Sequence, residues 1–231
     1  MDERSASGRT PLLLHACCGP CSLEPVRLLR EEGFEPTICW VNPNIQPVAE
    51  HDLRLRVLRD WAARVAHVDV IVGADDRDGW ERLVAPAAFD RGRRCRACYT
   101  LRLAETCRIA RARGFSHVST TLAVSPYQLF DACEDALVTL ARAQGLRAVW
   151  RDVRDRYPDA VRGARELGMY RQSYCGCRFS AAEAARARHA ARDHDDDVLS
   201  TIRSSRTDAG AAARAGRVLT EASPSRLVTG T

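Results

Sequence analysis

Seven of the ten cysteines in this 231-residue chain lie in three short groups, and clustered thiols are typical ligands of soft metals and typical carriers of redox chemistry. The groups are Cys17, Cys18 and Cys21, then Cys95-x-x-Cys98, then Cys175-x-Cys177. The first ten residues are polar and hold no signal-peptide core, so we expect a cytoplasmic chain whose thiols stay reduced. Clustered cysteines in such a chain indicate metal or redox chemistry rather than a disulfide framework.

Two of these groups together supply the four thiolates that a [4Fe–4S] cluster or a tetrahedral zinc ion requires. Cys17 and Cys18 follow the first predicted strand, at the carboxyl edge where open α/β sheets gather their ligands. Cys95 and Cys98 are predicted to lie in the first turn of a helix, on one face, where exposed helix amides stabilise thiolates. The pair Cys18-x-x-Cys21 would form a zinc knuckle instead, so spacing leaves the choice among the three N-terminal cysteines open.

The third group, Cys175-Gly-Cys177, has a different use. A disulfide between cysteines one residue apart closes a small, strained ring, and strain makes such a bond easy to reduce. Gly176 supplies the backbone freedom that ring closure requires. The pair could therefore store two electrons or, as a dithiolate, bind a second metal. The other cysteines are predicted to pack in the core, as Cys39, Cys107 and Cys133.

Alternating predicted strands and helices position these cysteines. The strands cover residues 11–15, 37–41, 69–72, 117–122 and 148–150; the helices cover 23–32, 49–66, 95–112 and 126–144, with an irregular segment at 77–94. This alternation is typical of an α/β fold with a parallel sheet covered by helices on both faces. We expect one catalytic domain at residues 11–192, between a disordered N-terminus (1–10) and a disordered polar tail (193–231).

The basic residues are all arginine: the 35 cationic side chains include no lysine, and the net charge is +5. Schiff-base chemistry on a lysine and Walker-type phosphate loops are therefore excluded. Arginine binds phosphate through a bidentate fork and stacks on bases, so this surface favours an RNA partner. The sequence holds no apolar run near the roughly 20 residues of a membrane helix, so we expect no membrane association.

Five motifs, in this order along the chain, carry a resemblance to a known family. They are LLHACCGPCS (residues 13–22), VNPNI (41–45), CRACYTLRL (95–103), STTLAVSPYQ (119–128) and LGMYRQSYCGCRFS (167–180). Together they resemble the QueH-type epoxyqueuosine reductases over about residues 11–182. The resemblance implies a sheet like that of the adenine-nucleotide α-hydrolases, the HUP fold.

The resemblance also implies an activity, which is the reduction of epoxyqueuosine to queuosine at the wobble position of tRNA, the last step of queuosine biosynthesis, without cobalamin. It implies a redox-active or metal-binding pair at Cys175 and Cys177, and a [4Fe–4S] cluster on the residues that match Cys17, Cys18, Cys95 and Cys98. Turning an epoxide into an alkene takes two electrons and two protons, whereas a cluster delivers electrons singly. The Cys175/Cys177 pair would then act as a dithiol, or as ligands of a second, mononuclear iron, fed by an unidentified electron donor.

Other side chains are predicted to serve this chemistry. Asp152, at the end of a predicted strand, is the candidate acid that protonates the departing oxygen. His15 is predicted to be a hydrogen-bonded core histidine beside the cysteines. Arg91 and Arg93 with Arg94 and Arg96 form a basic rim around Cys95 suited to phosphate. Base stacking is predicted for the tyrosines that flank the motifs, which are Tyr99, Tyr127, Tyr170 and Tyr174.

Two alternative functions stay open at this stage. An ATP-dependent tRNA-thiolating enzyme of the PP-loop type shares the sheet and sometimes carries a cluster. Its pyrophosphate loop requires a Ser-Gly-Gly-x-Asp-Ser sequence, whereas residues 16–22 here read ACCGPCS, with one glycine and no aspartate. A zinc-stapled RNA-binding module without enzymatic activity is the other alternative, and it predicts zinc with no sulfide.

Overall fold

A five-stranded parallel sheet forms the centre of the computed structural model, which describes residues 8–192. The strands are β1 (Thr10–His15), β2 (Phe34–Trp40), β3 (Val70–Val72), β4 (His117–Thr120) and β5 (Arg147–Ala148), in the spatial order β3-β2-β1-β4-β5. Every neighbouring pair is parallel, which confirms the predicted α/β class. The predicted tail at 193–231 and residues 1–7 of the predicted disordered N-terminus lie outside the described residues.

Helices cover both faces of this sheet. They are α1 (Leu23–Glu31), α2 (Val48–Trp61), α3 (Arg77–Val84), α4 (Arg91–Ala112), α5 (Phe130–Ala143) and α6 (Tyr157–Glu166). Because side chains alternate along a strand, Leu12 and Leu14 of β1 face a core with Val26 of α1 and Leu58 of α2. Leu13 faces the opposite core, which is formed with residues of α4 and α5.

The chain divides after Ala181 into two compact units, and the fold described here belongs to the first. In the second unit, residues 182–192 are helical. No helix of residues 8–192 is both long enough and apolar enough to cross a membrane.

Residues 77–94 differ from their prediction as an irregular segment. Asp76 accepts a hydrogen bond from the Gly79 amide and begins α3. Asp90 accepts one from the Arg93 amide, so α4 begins at Arg91, four residues before Cys95. The prediction failed because aspartate N-caps, which end one irregular turn and start a helix, are weaker sequence signals than apolar periodicity.

The carboxyl ends of β1, β2 and β4 bring three chain segments side by side. His15, the last residue of β1, pairs with Cys39 of β2 on one side and with Thr120 of β4 on the other. The segments that follow these strands therefore leave the sheet next to one another: 16–22, 41–46 and 121–129. This edge is where ligands of open α/β sheets are bound, and the first cysteine group lies there.

Candidate metal-binding and redox site

The three N-terminal cysteines converge at the carboxyl end of β1. The ligand atoms of Cys17, Cys18 and Cys21 all lie within 4.8 Å of one another. Cys18 and Cys21 are buried, and Cys17 is half-buried. The sharp turn at Gly19-Pro20 returns the chain toward Cys18, so the amide of Cys21 donates to the Cys18 sulfur at 3.3 Å. Spacing alone could not decide whether Cys21 belongs with Cys17 and Cys18. The structure places all three cysteines in one group.

Polar groups from two other segments contact these sulfurs. The Thr121 hydroxyl donates to the Cys17 sulfur at 3.4 Å and accepts from the Cys17 amide at 3.2 Å. The Gln172 side-chain amide donates to the Cys18 sulfur at 3.0 Å. Three segments far apart in sequence therefore meet at this group. Donors directed at sulfur stabilise the thiolate, which is the form that binds metal.

The pKa values of the three thiols are shifted in opposite directions. Hydrogen bonds from Cys18 and Cys21 hold the pKa of the Cys17 thiol well below its usual value. Burial raises the pKa of Cys18, and the hydrogen bond to Cys17 raises the pKa of Cys21. Three clustered sulfur donors, one of which has a lowered pKa, form a set that fits a thiophilic metal or an iron–sulfur centre. These three residues could therefore hold a metal.

A second set of thiols joins α4 to the Cys175-Gly-Cys177 turn. Cys98 and Cys177 are buried in one cluster with Trp80. Cys175 is exposed, although the crowding of protein atoms around it raises the pKa of its thiol to about 12. All ten cysteines are described, and all are free thiols.

Of the four predicted cluster ligands, Cys17 and Cys18 belong to the group of three sulfurs that lie within 4.8 Å of one another. Cys17 and Cys95 do pack against the same apolar core, on the α4 side of the sheet. The shared cluster of four thiolates stays a prediction.

The placement of Cys95 and Cys98 in the first turn of a helix was wrong. The helix begins at Arg91, so both cysteines lie beyond the amides that the start of a helix leaves exposed. Burial raises the pKa of both thiols, the opposite of the predicted stabilisation of thiolates by helix amides.

Arg102 connects the two groups, and the sequence analysis missed it. It is 1% exposed and lies one helical turn after Cys98. Its guanidinium donates to Asn42 Oδ1 at 2.6 Å and to the Val41 carbonyl at 3.3 Å, and one nitrogen lies 4.0 Å from the Cys98 sulfur. Asn42 in turn donates to the Ala16 carbonyl at 2.9 Å, immediately before Cys17.

The positive charge of Arg102 acts on thiols of both groups. It adds to the hydrogen bonds that lower the pKa of Cys17, and it opposes the effect of burial on Cys98 and Cys175. The available signal was its position within the CRACYTLRL motif, on the helix face of Cys98.

Residues of α2 and of the segment after β2 hold the Cys175-Gly-Cys177 turn by donating hydrogen bonds to its backbone carbonyls. Arg54, buried on α2, donates to the carbonyls of Cys175 and Tyr174 at 3.0 and 3.3 Å. The Gln46 amide donates to the Gly176 carbonyl at 2.9 Å. Gly176 has φ +145°, a conformation that side chains disfavour, and so it lets the chain turn against this loop. The turn is therefore docked on residues after β2, the same segment that contacts Arg102.

Tyr99 is buried and does not face an incoming base, which corrects its prediction as a stacking residue. Its hydroxyl donates to Gln128 Oε1 at 2.8 Å and accepts from the Leu129 amide at 3.3 Å. The side-chain amide of Gln128 in turn lies 3.6 Å from the Cys175 sulfur. Burial raises the pKa of Tyr99, which keeps it a hydrogen-bond donor. Tyr99 thus supports Gln128, and Gln128 contacts the thiol.

Arg94 also departs from its predicted role at the surface. Its side chain is buried, donates to the Ala88 carbonyl at 2.5 Å and lies over the ring of Phe179. Arg96 is exposed, 3.9 Å from Asp135, and stays a predicted phosphate contact. Tyr174 is half-buried, and its hydroxyl donates to the Gln46 carbonyl at 2.5 Å, so its stacking role also stays a prediction.

Asp152 is exposed and forms an ion pair with Arg154 at 2.6 Å. The hydrogen bond from Arg154 lowers the pKa of Asp152, which keeps the carboxylate ionised and weighs against its predicted role as an acid. His15 is fully buried between Thr120 Oγ1 at 2.9 Å and the Val41 carbonyl at 3.4 Å. Burial lowers its pKa to about 3, as befits the neutral core histidine that was predicted.

Comparisons with known proteins agree on one family. The chain matches the family model "Epoxyqueuosine reductase QueH" over residues 12–183. It is 32% identical over 182 residues to the "Epoxyqueuosine reductase QueH" of Dehalococcoides mccartyi, covering 74% of this chain and 93% of that protein. The protein of the same name from Thermotoga maritima is 33% identical over 186 residues, covering 78% and 94%.

A solved structure titled as a predicted subunit of tRNA methyltransferase from Methanocaldococcus jannaschii superposes with a TM-score of 0.49 at 12% identity. The superposition covers 68% of this chain and 75% of that chain.

The contacts of Arg102 predict a large loss of stability when it is replaced. Arg102→Met leaves Asn42 Oδ1 buried without its donor, which costs about 1–3 kcal/mol, and leaves the Val41 carbonyl with His15 as its remaining side-chain contact. Urea unfolding of the metal-free, reduced protein measures the free energy of unfolding. Arg108→Met, on the same helix, removes only an exposed pair with Glu105 and should change little. Equal effects of the two substitutions would contradict the role given to Arg102.

A second prediction concerns Gly176. A Cβ atom there would lie 3.0 Å from Asn44 Nδ2 and 3.0 Å from Ile45 Cγ1, in addition to the backbone strain of about 1–3 kcal/mol. Gly114→Ala is the matched control, because Gly114 has φ +77° but nothing within 4 Å of the added atom. Urea unfolding should show Gly176→Ala to be the more destabilised variant. The same loss in both variants would mean that the close contacts of Gly176 carry no weight.

Proposed function

The chain belongs to the QueH family of epoxyqueuosine reductases, and on that premise we propose that it removes the epoxide oxygen of epoxyqueuosine in tRNA to give queuosine, the last step of queuosine biosynthesis. The observation that carries the proposal is the extent of the family match. Residues 12–183 include all seven clustered cysteines, so the match covers the chemistry as well as the scaffold. The enzyme is an oxidoreductase, and we place its work in the cytoplasm, where its tRNA substrate is found.

The Cys175/Cys177 pair is proposed as the immediate reductant. Two thiols supply two electrons and two protons when they become a disulfide, and the epoxide gives up its oxygen as water while its two carbons form the alkene. The reaction therefore balances without any further proton donor. Cys175 is the exposed member of the pair and Cys177 the buried one, so Cys175 is the thiol that meets the substrate. As an alternative, the same two sulfurs would hold a mononuclear iron, which would polarise the epoxide oxygen.

A [4Fe–4S] cluster is proposed on Cys17, Cys18, Cys95 and Cys98, and it would supply electrons one at a time from a donor protein. The close approach of Cys17 and Cys18 and the thiolate character of Cys17 support this assignment. Cys21 is the rival for one ligand position, because it lies as close to the other two. No corrin enters this scheme, so the enzyme is proposed to work without cobalamin.

Residues of this chain position the reductant. Arg54 and Gln46 hold the backbone of the Cys175-Gly-Cys177 turn, and Gln128 contacts the Cys175 thiol. Fixing a reactive atom in place is a large part of what a protein contributes to such a step. Asp152 was predicted as the acid, but the dithiol already brings both protons. We therefore expect the Asp152→Asn variant to retain turnover. If the variant loses turnover, the Asp152 carboxylate is the acid after all.

The activity is tested in a bacterial strain that lacks its own epoxyqueuosine reductase. Expression of this chain should convert the epoxyqueuosine of its tRNA to queuosine, measured by mass spectrometry of digested nucleosides. Cys175→Ala and Cys177→Ala should each leave epoxyqueuosine in place. Cys107→Ala is the matched control, because it removes a buried core thiol that lies beyond Cys98 along α4 and is not a proposed ligand or reductant. A folded wild-type chain with its metal bound that leaves epoxyqueuosine unchanged would contradict the proposed function.

The cofactor is tested by metal and sulfide analysis after anaerobic purification. We expect about four iron atoms and four sulfides per chain, lost in Cys17→Ala and in Cys98→Ala. Cys21→Ala should retain them, and so should Cys175→Ala. Retention in Cys98→Ala together with loss in Cys21→Ala would assign the ligands to the N-terminal group instead. Stoichiometric zinc without sulfide would favour the zinc-stapled RNA-binding module.

A further inference from the structure

Two exposed aromatic side chains lie in the segments that precede α4 and α5. Phe89 is fully exposed (106%), in the short segment between α3 and α4. Tyr127 is 70% exposed, in the segment between β4 and α5. Exposed apolar side chains become informative when they lie together in one patch.

A hydrogen bond between their segments brings these aromatics near one another. Arg91, two residues after Phe89, donates from Nη2 to the Tyr127 carbonyl at 2.9 Å. Tyr127 directly precedes Gln128, whose amide contacts the Cys175 sulfur. The segments of the two aromatic residues are therefore joined, and Tyr127 is next in sequence to the side chain that contacts the exposed Cys175 thiol.

The surroundings of the two aromatics are positively charged. Arg91 and Arg93 are exposed, and within residues 8–192 neither forms an ion pair. The nearby carboxylate of Asp90 is engaged as the N-cap of α4, where it accepts from the Arg93 amide. Positive charge interleaved with exposed aromatic rings is the pattern that binds single-stranded nucleic acid, because phosphates meet arginine while bases stack on the rings.

We propose that Phe89, Arg91, Arg93 and Tyr127 form the surface that receives the unpaired nucleotides next to the modified base, with Phe89 and Tyr127 as stacking platforms. The inference rests on the proposed function, since it assigns the RNA partner of that same site. A modified nucleoside must leave its neighbours to reach the Cys175 thiol, and stacking surfaces beside the site hold the neighbouring bases while it does so. Arg93 meets a phosphate.

The test uses the full, metal-loaded chain and tRNA purified from the reductase-deficient strain. Phe89→Ala and Tyr127→Ala should each raise the Kd for this tRNA about tenfold, as expected for the loss of one stacked base. The absorption spectrum of the metal centre should not change, because neither residue is a proposed ligand. Arg93→Gln should lower the slope of log Kd against log salt by about 0.7, the value for one phosphate on a single strand.

Two matched controls accompany these variants. Val65→Ala trims another exposed apolar side chain, in the turn before β3 at the amino edge of the sheet. Arg108→Gln removes an exposed charge near the far end of α4. Both should bind tRNA as the wild type does. All the variants alter exposed side chains, so thermal unfolding should match the wild type and exclude misfolding as a cause.

Unchanged tRNA affinity in both Phe89→Ala and Tyr127→Ala would overturn the inference. Unchanged affinity with slower reduction by a donor protein would also overturn it and assign the surface to that protein. The outcome is separate from that of the proposed function. A wild-type chain that binds tRNA but does not reduce epoxyqueuosine would contradict the proposed function. The comparison of tRNA affinities between wild type and variants would still test the proposed binding surface.

Discussion

The site depends on the hydrogen bonds that the buried guanidinium of Arg102 donates. A buried charge is stable only when its donors are satisfied, and those of Arg102 are satisfied by the segment after β2 and by the neighbourhood of Cys98. Through Asn42 the same network reaches the carbonyl of Ala16, next to Cys17. The first cysteine group and the helix that carries Cys95 and Cys98 are therefore tied together by one cation. Arginine suits this task because its rigid fork can bind acceptors in more than one direction.

A second buried arginine does the corresponding work at the opposite side of the site. Arg54 extends from α2 and binds two backbone carbonyls of the redox turn, while its own charge is balanced by Glu50 at 2.7 Å. Both arginines bind backbone or side-chain oxygens, and Arg102 also lies 4.0 Å from the Cys98 sulfur. The two cations therefore fix the loops, and the sulfur atoms remain available for metal or redox chemistry. The two groups of thiols also differ in exposure. The N-terminal cysteines are buried or half-buried, whereas Cys175 lies at the surface.

Much of the fold could be predicted from the sequence because it depends on periodicity. The five strands, their parallel arrangement and the helices on both faces follow from apolar runs such as residues 11–15, and the packing of Cys39, Cys107 and Cys133 in the core is confirmed. The start of α4 was missed because it depends on one aspartate side chain, Asp90, rather than on a repeating pattern. Arg94 and Tyr99 were predicted to meet substrate because both types bind nucleic acid. Their burial is decided by packing between elements distant in sequence, which spacing does not reveal. The position of Cys21 beside Cys18 depends on the turn at Pro20. The contact of Gln128 with Cys175 depends on the tertiary fold, which brings together residues far apart in sequence.

The position of β1 in the middle of the sheet has a consequence for how the protein matures. Among the strands of residues 8–192, β1 is synthesised before the others, yet its neighbours on the two sides are β2 and β4, and β4 ends only at Thr120. The clustered thiols extend further still, from Cys17 to Cys177. The early cysteines therefore spend most of translation without the helix and the turn that will enclose them, as reactive thiols on an unfinished chain. A centre on the four proposed ligands, Cys17, Cys18, Cys95 and Cys98, could be completed only after the first half of α4 has been synthesised.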